Sequence, residues 1–205
     1  MRYISTRGQA PELTFEETML TGLARDGGLY VPHAVPVLPA EQIAGFAGKS
    51  YEAVAFEVMR PFIGDCFNDD EFRAIIERAY SGFQHSARCP MVQIGANEWV
   101  LELHHGPTLA FKDVALQLMG QMLDAVLTRN DRKATIVGAT SGDTGSAAME
   151  AFRGSSSVDV FFLHPKGRVS EVQRRQMTTL GAKNLHAIAL DGTFDDCQAR
   201  VKDMF

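Results

Sequence analysis

The chain has 205 residues, 45% of them hydrophobic and 22% charged, a balance that belongs to globular proteins and excludes disorder, collagen-like repeats and a coiled coil. Lys and Arg number 20 against 25 Asp and Glu, for a net charge of -5. No basic run stands out, and the Arg174-Arg175 pair reads as a solvated helix face, so neither nucleic acid nor an anionic membrane is an expected partner. Three scattered cysteines, Cys66, Cys89 and Cys197, show no CxxC or zinc-ligand spacing and point to reduced thiols. The segment Met1–Gly8 lacks the apolar stretch of a signal peptide, and no run approaches the ~20 apolar residues of a membrane helix. The expected location is therefore cytoplasmic.

Residues 1–90 read as a mostly helical region. Thr14-Phe15-Glu16-Glu17 carries the capping-box pattern that opens a helix, which Asp26-Gly27-Gly28 is expected to break. Val31–Pro39 is a proline-punctuated extended connector. Helices are expected near 40–47, 50–60 and 68–80, the last with Phe72, Ile75, Ile76 and Ala79 on one face.

After Pro90 the pattern changes, and 91–205 read as the front part of an α/β region. Met91–Ile94 and Trp99–Leu103 flank Gly95-Ala96-Asn97 as a hairpin. A helix over 113–129 would bury a stripe of Ala115, Leu118, Met119, Met122 and Val126. Three apolar runs follow, Ala134–Ala139, Val158–Leu163 and Leu185–Leu190, separated by helical segments near 144–153 and 170–180. That alternation implies crossover units and a parallel sheet. A last helix from Phe194 to Phe205 would place Phe194, Cys197, Val201 and Phe205 together. With three strands and no terminating glycine, the sheet reads as unfinished and the chain as the front part of a longer protein; a complete small domain with a helical tail is the alternative.

Two segments carry candidate chemistry. In His104-His105-Gly106-Pro107-Thr108-Leu109-Ala110-Phe111-Lys112-Asp113, Lys112 is the one lysine of six that follows an apolar triplet and enters an apolar helix. Apolar surroundings and a helix N-terminus both disfavour an ammonium and expose a nucleophilic amine, which makes Lys112 a Schiff-base candidate. A snorkelling surface lysine, with Asp113 as helix cap, is the alternative. The second segment, Gly138–Ala148, runs from a strand straight into a helix, where free N–H groups form an anion site and glycines admit a ligand to the backbone. It lacks the P-loop lysine, the second glycine of Gly-x-Gly-x-x-Gly, and the serine-hydrolase elbow. Read structurally, it is a tight strand–helix turn; a nucleotide-binding module is a further option. His104 and His105, adjacent on an extended segment, would point to opposite faces and not share a metal. The remaining histidines, His33, His85, His164 and His186, read as structural or surface residues, and no metal site is expected.

Together these segments resemble the threonine synthase family, pyridoxal-phosphate enzymes of fold type II. Met1–Gly8 is similar to the family's opening, and Asp26-Gly27-Gly28-Leu29-Tyr30-Val31-Pro32 to its Asp-Gly-Gly-Leu-Tyr-Val-Pro motif. His105–Asp113 resembles the cofactor-lysine motif, and Ala139–Gly145 the Thr-Ser-Gly-Asp-Thr-Gly loop. The resemblance implies an α/β fold in which a helical N-terminal region precedes an incomplete parallel or mixed sheet wrapped by helices. It implies that Lys112 holds pyridoxal 5'-phosphate as a Schiff base, that Asp143 faces the cofactor, and that Thr140, Ser141, Gly142 and Thr144 embrace the substrate carboxylate. The implied reaction converts O-phosphohomoserine and water to threonine and phosphate. The family's glycine-rich phosphate cup has no counterpart after residue 150, so the 205 residues alone are expected to be inactive. Threonine dehydratase, cysteine synthase and a non-catalytic threonine synthase-like protein are the rivals.

Overall fold

The computed structural model describes residues 1–204; Phe205, which the sequence pattern places on the last helical face, lies outside the described residues. The chain divides into two compact units, Met1–Glu77 and Arg78–Phe205. No helix among the described residues is long and apolar enough to cross a membrane.

In the first unit, β1 (Tyr3–Ser5) pairs antiparallel with β2 (Tyr30–Pro32), Tyr3 opposite Pro32. This pairing absorbs the start of what reads in sequence as a connector. Helix α1 (Phe15–Thr21) begins as its sequence dictates. The Glu17 N–H donates to Thr14 Oγ1 at 3.2 Å, and the Thr14 N–H donates to Glu17 Oε2 at 2.7 Å. It ends earlier than expected, because Gly22 at φ 69° turns the chain and donates its N–H to Thr18 O. Asp26-Gly27-Gly28 therefore does not stop this helix; it ties β1 to β2. Ser5 Oγ donates to the Asp26 carboxylate at 2.8 Å, and the N–H groups of Gly28 and Gln9 donate to it at 2.9 Å. Burial pushes the Asp26 carboxyl up, but those donors outweigh it and hold the group below its ordinary value. A Cβ on Gly28 would lie 2.4 Å from Ser5 Oγ, so the knot needs glycine there.

Helices α2 (Ala40–Ala44), α3 (Tyr51–Ile63) and α4 (Asp69–Tyr80) follow. Phe72, Ile75, Ile76 and Ala79 are all buried on α4, as their spacing predicts. The Phe72 ring stacks on Phe67 at 6.2 Å and tilts against Phe56 at 5.9 Å.

The second unit opens with the hairpin β3 (Met91–Gly95) and β4 (Glu98–Leu101), turning through Asn97 at φ 60°. A three-stranded parallel sheet follows, in the order β5 (Ala134–Ala139), β6 (Val158–Pro165), β7 (Leu185–Leu190). Helices α6 (Asp143–Ala151) and α7 (Glu171–Thr178) make the crossovers, and α8 (Phe194–Lys202) packs on β5 and β6. Central β6 buries Val158, Val160, Phe162 and Leu163, the near-continuous apolar run that a strand covered on both faces requires.

Helix α5 (Asp113–Arg129) matches its predicted bounds, but its buried face differs from the predicted stripe. Leu118 and Val126 are buried, whereas Ala115 and Met119 are exposed and Met122 is half-buried. Asp113, Gln117 and Gly120 take their places. A Cβ on Gly120 would lie 2.7 Å from Ala151 O, so glycine lets α5 and α6 approach, and Gln117 Nε2 donates across the seam to Ala147 O at 3.2 Å.

Candidate functional site

Between β4 and α5 the chain forms a loop closed by a single carboxylate. Asp113 is wholly buried and accepts from the Thr108 N–H and the Thr108 hydroxyl, both at 2.8 Å, and from Gln117 Nε2 at 3.1 Å. It thus faces inward and fastens the loop, a different role from a solvent-facing helix cap. Gly106 is required beneath it, since a Cβ there would sit 2.5 Å from Asp113 Oδ2. Leu109 takes φ 63°, a left-handed conformation unusual for its residue type. From α7, Gln176 Nε2 donates to Thr108 O at 2.9 Å.

This knot sets Lys112 at the threshold of α5, its side chain about 29% exposed. Its Nζ lies 3.9 Å from Asp143 Oδ2 and 4.2 Å from the centre of the Phe111 ring. The apolar burial expected around Lys112 is not what the fold supplies. Leu109 and Phe111 are more than half exposed, and a carboxylate distant in sequence faces the amine.

The loop after β5 is built from its own hydroxyls. Thr140 is buried, and its Oγ1 accepts from the N–H groups of Gly142 at 3.0 Å and Gly145 at 2.9 Å. Ser146 Oγ donates to Gly142 O at 2.9 Å. Gly142 has φ 145°, and a Cβ on it would overlap the Gln173 side-chain amide. Gln173 Nε2 in turn donates to Asp143 Oδ1. Ser141 is exposed at the loop tip, while Asp143 and Thr144 are half-buried in the first turn of α6. Of the first-turn N–H groups, that of Gly145 is taken by Thr140 Oγ1, and those of Asp143 and Thr144 form the positive end of α6 next to Ser141.

Thr108, Phe111, Asp143, Gln173 and Gln176 line one cleft of about 420 Å³. It opens at the carboxyl end of β5, where ligands of open α/β sheets bind. His164, which reads as structural in sequence, ends β6 at the same edge of the sheet; it is buried, and its Nδ1 has no hydrogen-bond partner.

The histidines correct a second expectation. Past Leu101 the chain leaves the strand, and the His104 and His105 rings lie 4.5 Å apart instead of on opposite faces. Together with Glu102 they bring one ligand atom each within 4.8 Å of one another. Strict alternation of side chains holds only within a pleated strand.

A family model described as "Threonine synthase N terminus" matches residues 2–80. Along all of its length the chain is 57% identical to threonine synthase of Pseudomonas aeruginosa. It superposes on a pyridoxal-phosphate-bound threonine synthase from Brucella melitensis with a TM-score of 0.96 at 56% identity, covering 100% of this chain. The chain belongs to the threonine synthase family. The yeast threonine synthase structure is similar at a TM-score of 0.93 and 41% identity, again over 100% of this chain. The chain spans 44% of the length of the Pseudomonas relative and of the Brucella structure, and 43% of the yeast one. The α/β fold expected from the resemblance is the one observed.

Proposed function

We propose that the chain supplies Lys112 and the 139–145 loop to a threonine synthase, a carbon–oxygen lyase acting on a phosphate ester, which converts O-phosphohomoserine and water to threonine and phosphate. The observation that carries this reading is the meeting of two sequence-distant motifs, with Lys112 Nζ 3.9 Å from the Oδ2 of Asp143, a residue that lines the cleft. The donor set suits pyridoxal 5'-phosphate. A partly exposed primary amine can bond its aldehyde, and a helix start can take a carboxylate beside it. When bound, pyridoxal phosphate supplies an electron sink for charge developing next to the substrate amine.

The chain's own residues then have separable tasks. Asp143, held by Gln173, fixes the position of Lys112 Nζ, which lies 3.9 Å from its Oδ2. Lys112 Nζ would be the base that takes protons from Cα and Cβ. Protons go back to Cα and to Cγ, from which phosphate has left, and water supplies the Cβ hydroxyl. Acid–base help of this kind contributes typically ~10²–10⁴ in rate. Ser141 Oγ and the N–H groups of the helix start that Thr140 does not engage, those of Asp143 and Thr144, hold the substrate carboxylate. Thr140, its hydroxyl accepting from the Gly142 and Gly145 N–H groups, contributes by fixing the shape of the loop. A cytoplasmic setting accords with three scattered cysteines that show no CxxC spacing. Because the chain covers 44% of its relatives, turnover is assigned to a full-length enzyme and not to these 205 residues alone.

The test is borohydride reduction of the full-length, pyridoxal-phosphate-loaded enzyme followed by peptide mapping, with activity measured on O-phosphohomoserine, threonine and O-acetylserine. The label is expected on Lys112, turnover on O-phosphohomoserine alone, and both lost in Lys112→Ala. A reducible adduct surviving in Lys112→Ala would overturn the lysine. Preferred turnover of threonine or O-acetylserine would overturn the reaction in favour of a dehydratase or cysteine synthase.

A further inference from the structure

Three potential ligands for a metal ion converge on the segment leaving β4, beside the 84–87 turn. Glu102, His104 and His105 each offer a ligand atom within 4.8 Å of the other two. The His85 ring lies next to them, its centre 5.1 Å from that of His105. Its Nδ1 accepts from the Ala87 N–H at 3.1 Å, which leaves the proton on Nε2 and makes His85 a neighbour of the cluster and not a ligand. The two segments are already joined by a hydrogen bond from the Gln84 N–H to His105 O at 2.8 Å.

The spacing fits an ion. With Zn–N near ~2.05 Å, each ring centre stands ~3.2 Å from the metal, and a tetrahedral angle separates two such centres by ~5.2 Å. The observed separation is 4.5 Å for His104 and His105. His105 Nε2 now donates to Glu102 Oε2 at 2.7 Å. Two ligand atoms on one tetrahedral ion lie ~3.3 Å apart, so an ion replacing the shared proton needs them to part by ~0.6 Å. An N₂O donor set of two imidazoles and one carboxylate, with a fourth position for water, matches borderline divalent ions and not magnesium or calcium, which take oxygen.

We propose that Glu102, His104 and His105 form a site for a divalent ion of the zinc and cobalt class. Such an ion would brace the segment entering the Lys112 loop. The proposal does not rest on the role given to Lys112.

The test is titration of the chelator-stripped 205-residue chain with Zn²⁺ alone, by calorimetry in two buffers of different ionisation enthalpy. A parallel Co²⁺ titration is followed by visible absorption. One equivalent of Zn²⁺ is expected to bind with release of protons, and Co²⁺ to give the intense visible bands of a tetrahedral site. His104→Ala, at an exposed residue, and Glu102→Gln should each weaken binding by about tenfold or more. His186→Ala, in a histidine stacked on Phe161 away from the cluster, should leave it unchanged. Absence of saturable binding, or binding that survives both cluster variants, would overturn the site.

Discussion

Asp113→Ala tests the knot that positions Lys112. The wild-type carboxylate is wholly buried and accepts three hydrogen bonds, two from Thr108 and one from Gln117. In the alanine variant, Gln117 still has Ala147 O as a partner, and the Thr108 hydroxyl can rotate, but the Thr108 N–H is left buried with no acceptor. Loss of a charge-assisted hydrogen bond costs ~1.5–3 kcal/mol, and stranding a buried donor costs ~1–3 kcal/mol. Removing an acid from the first turn of α5 forfeits a further ~0.3–1 kcal/mol. A total of ~3–7 kcal/mol is a large share of the ~5–15 kcal/mol that separates folded from unfolded domains. Asp113→Asn should cost less, because Oδ1 still accepts while the amide opposes only the Thr108 N–H. Urea unfolding followed by far-ultraviolet circular dichroism measures the difference, and hydrogen exchange at the Thr108 amide reports the local opening. A loss under ~1 kcal/mol for Asp113→Ala, with the Thr108 amide as protected as in wild type, would refute the reasoning.

Two further outcomes follow from the same accounting. Thr140→Val keeps shape but removes the acceptor of two buried N–H groups, so it should destabilise by ~2–4 kcal/mol in urea unfolding, with Thr140→Ser recovering most of the loss; equal stability of the valine variant would show that the loop holds itself without the hydroxyl. Glu171 accepts hydrogen bonds from Arg174 and Arg175, which bring its carboxyl from 4.5 down to about 2. Its folded value is depressed, so its contribution is fully present above the ordinary value and is lost as pH falls from there to about 2. Glu171→Gln should therefore lower the urea midpoint near neutral pH but not near pH 2, and a difference of the same size at both would refute the linkage.

Local patterns legible in the sequence are those whose physics is complete within a few residues. The Thr14 capping box, the apolar face of α4 and the bounds of α5 needed no distant partner, and the alternation of apolar runs with helices was enough to imply a parallel sheet. What failed depended on contacts far along the chain. Strand β1 is three residues long and exists only because β2 pairs with it. The buried face of α5 holds Asp113 and Gln117 because Thr108 and Ala147 stand opposite, and no helical periodicity marks a polar residue as buried. His104 and His105 looked separated because a strand was assumed to continue past its end at Leu101.

The candidate site shows the same division between residues that can be read and residues that cannot. Lys112 and the 139–145 loop stood out by composition, yet neither motif announces what holds the two together. That task falls to α7, which in sequence reads as a solvated connecting helix. Gln173 and Gln176, three residues apart, share a face of α7; one bonds Asp143 in the loop after β5, the other the Thr108 carbonyl in the loop before α5. Gly142 is glycine because the first of these side chains lies against it. The distance between Lys112 Nζ and Asp143 is therefore set through a crossover helix that touches both loops, and a change at Gln173 should disturb the lysine without touching it.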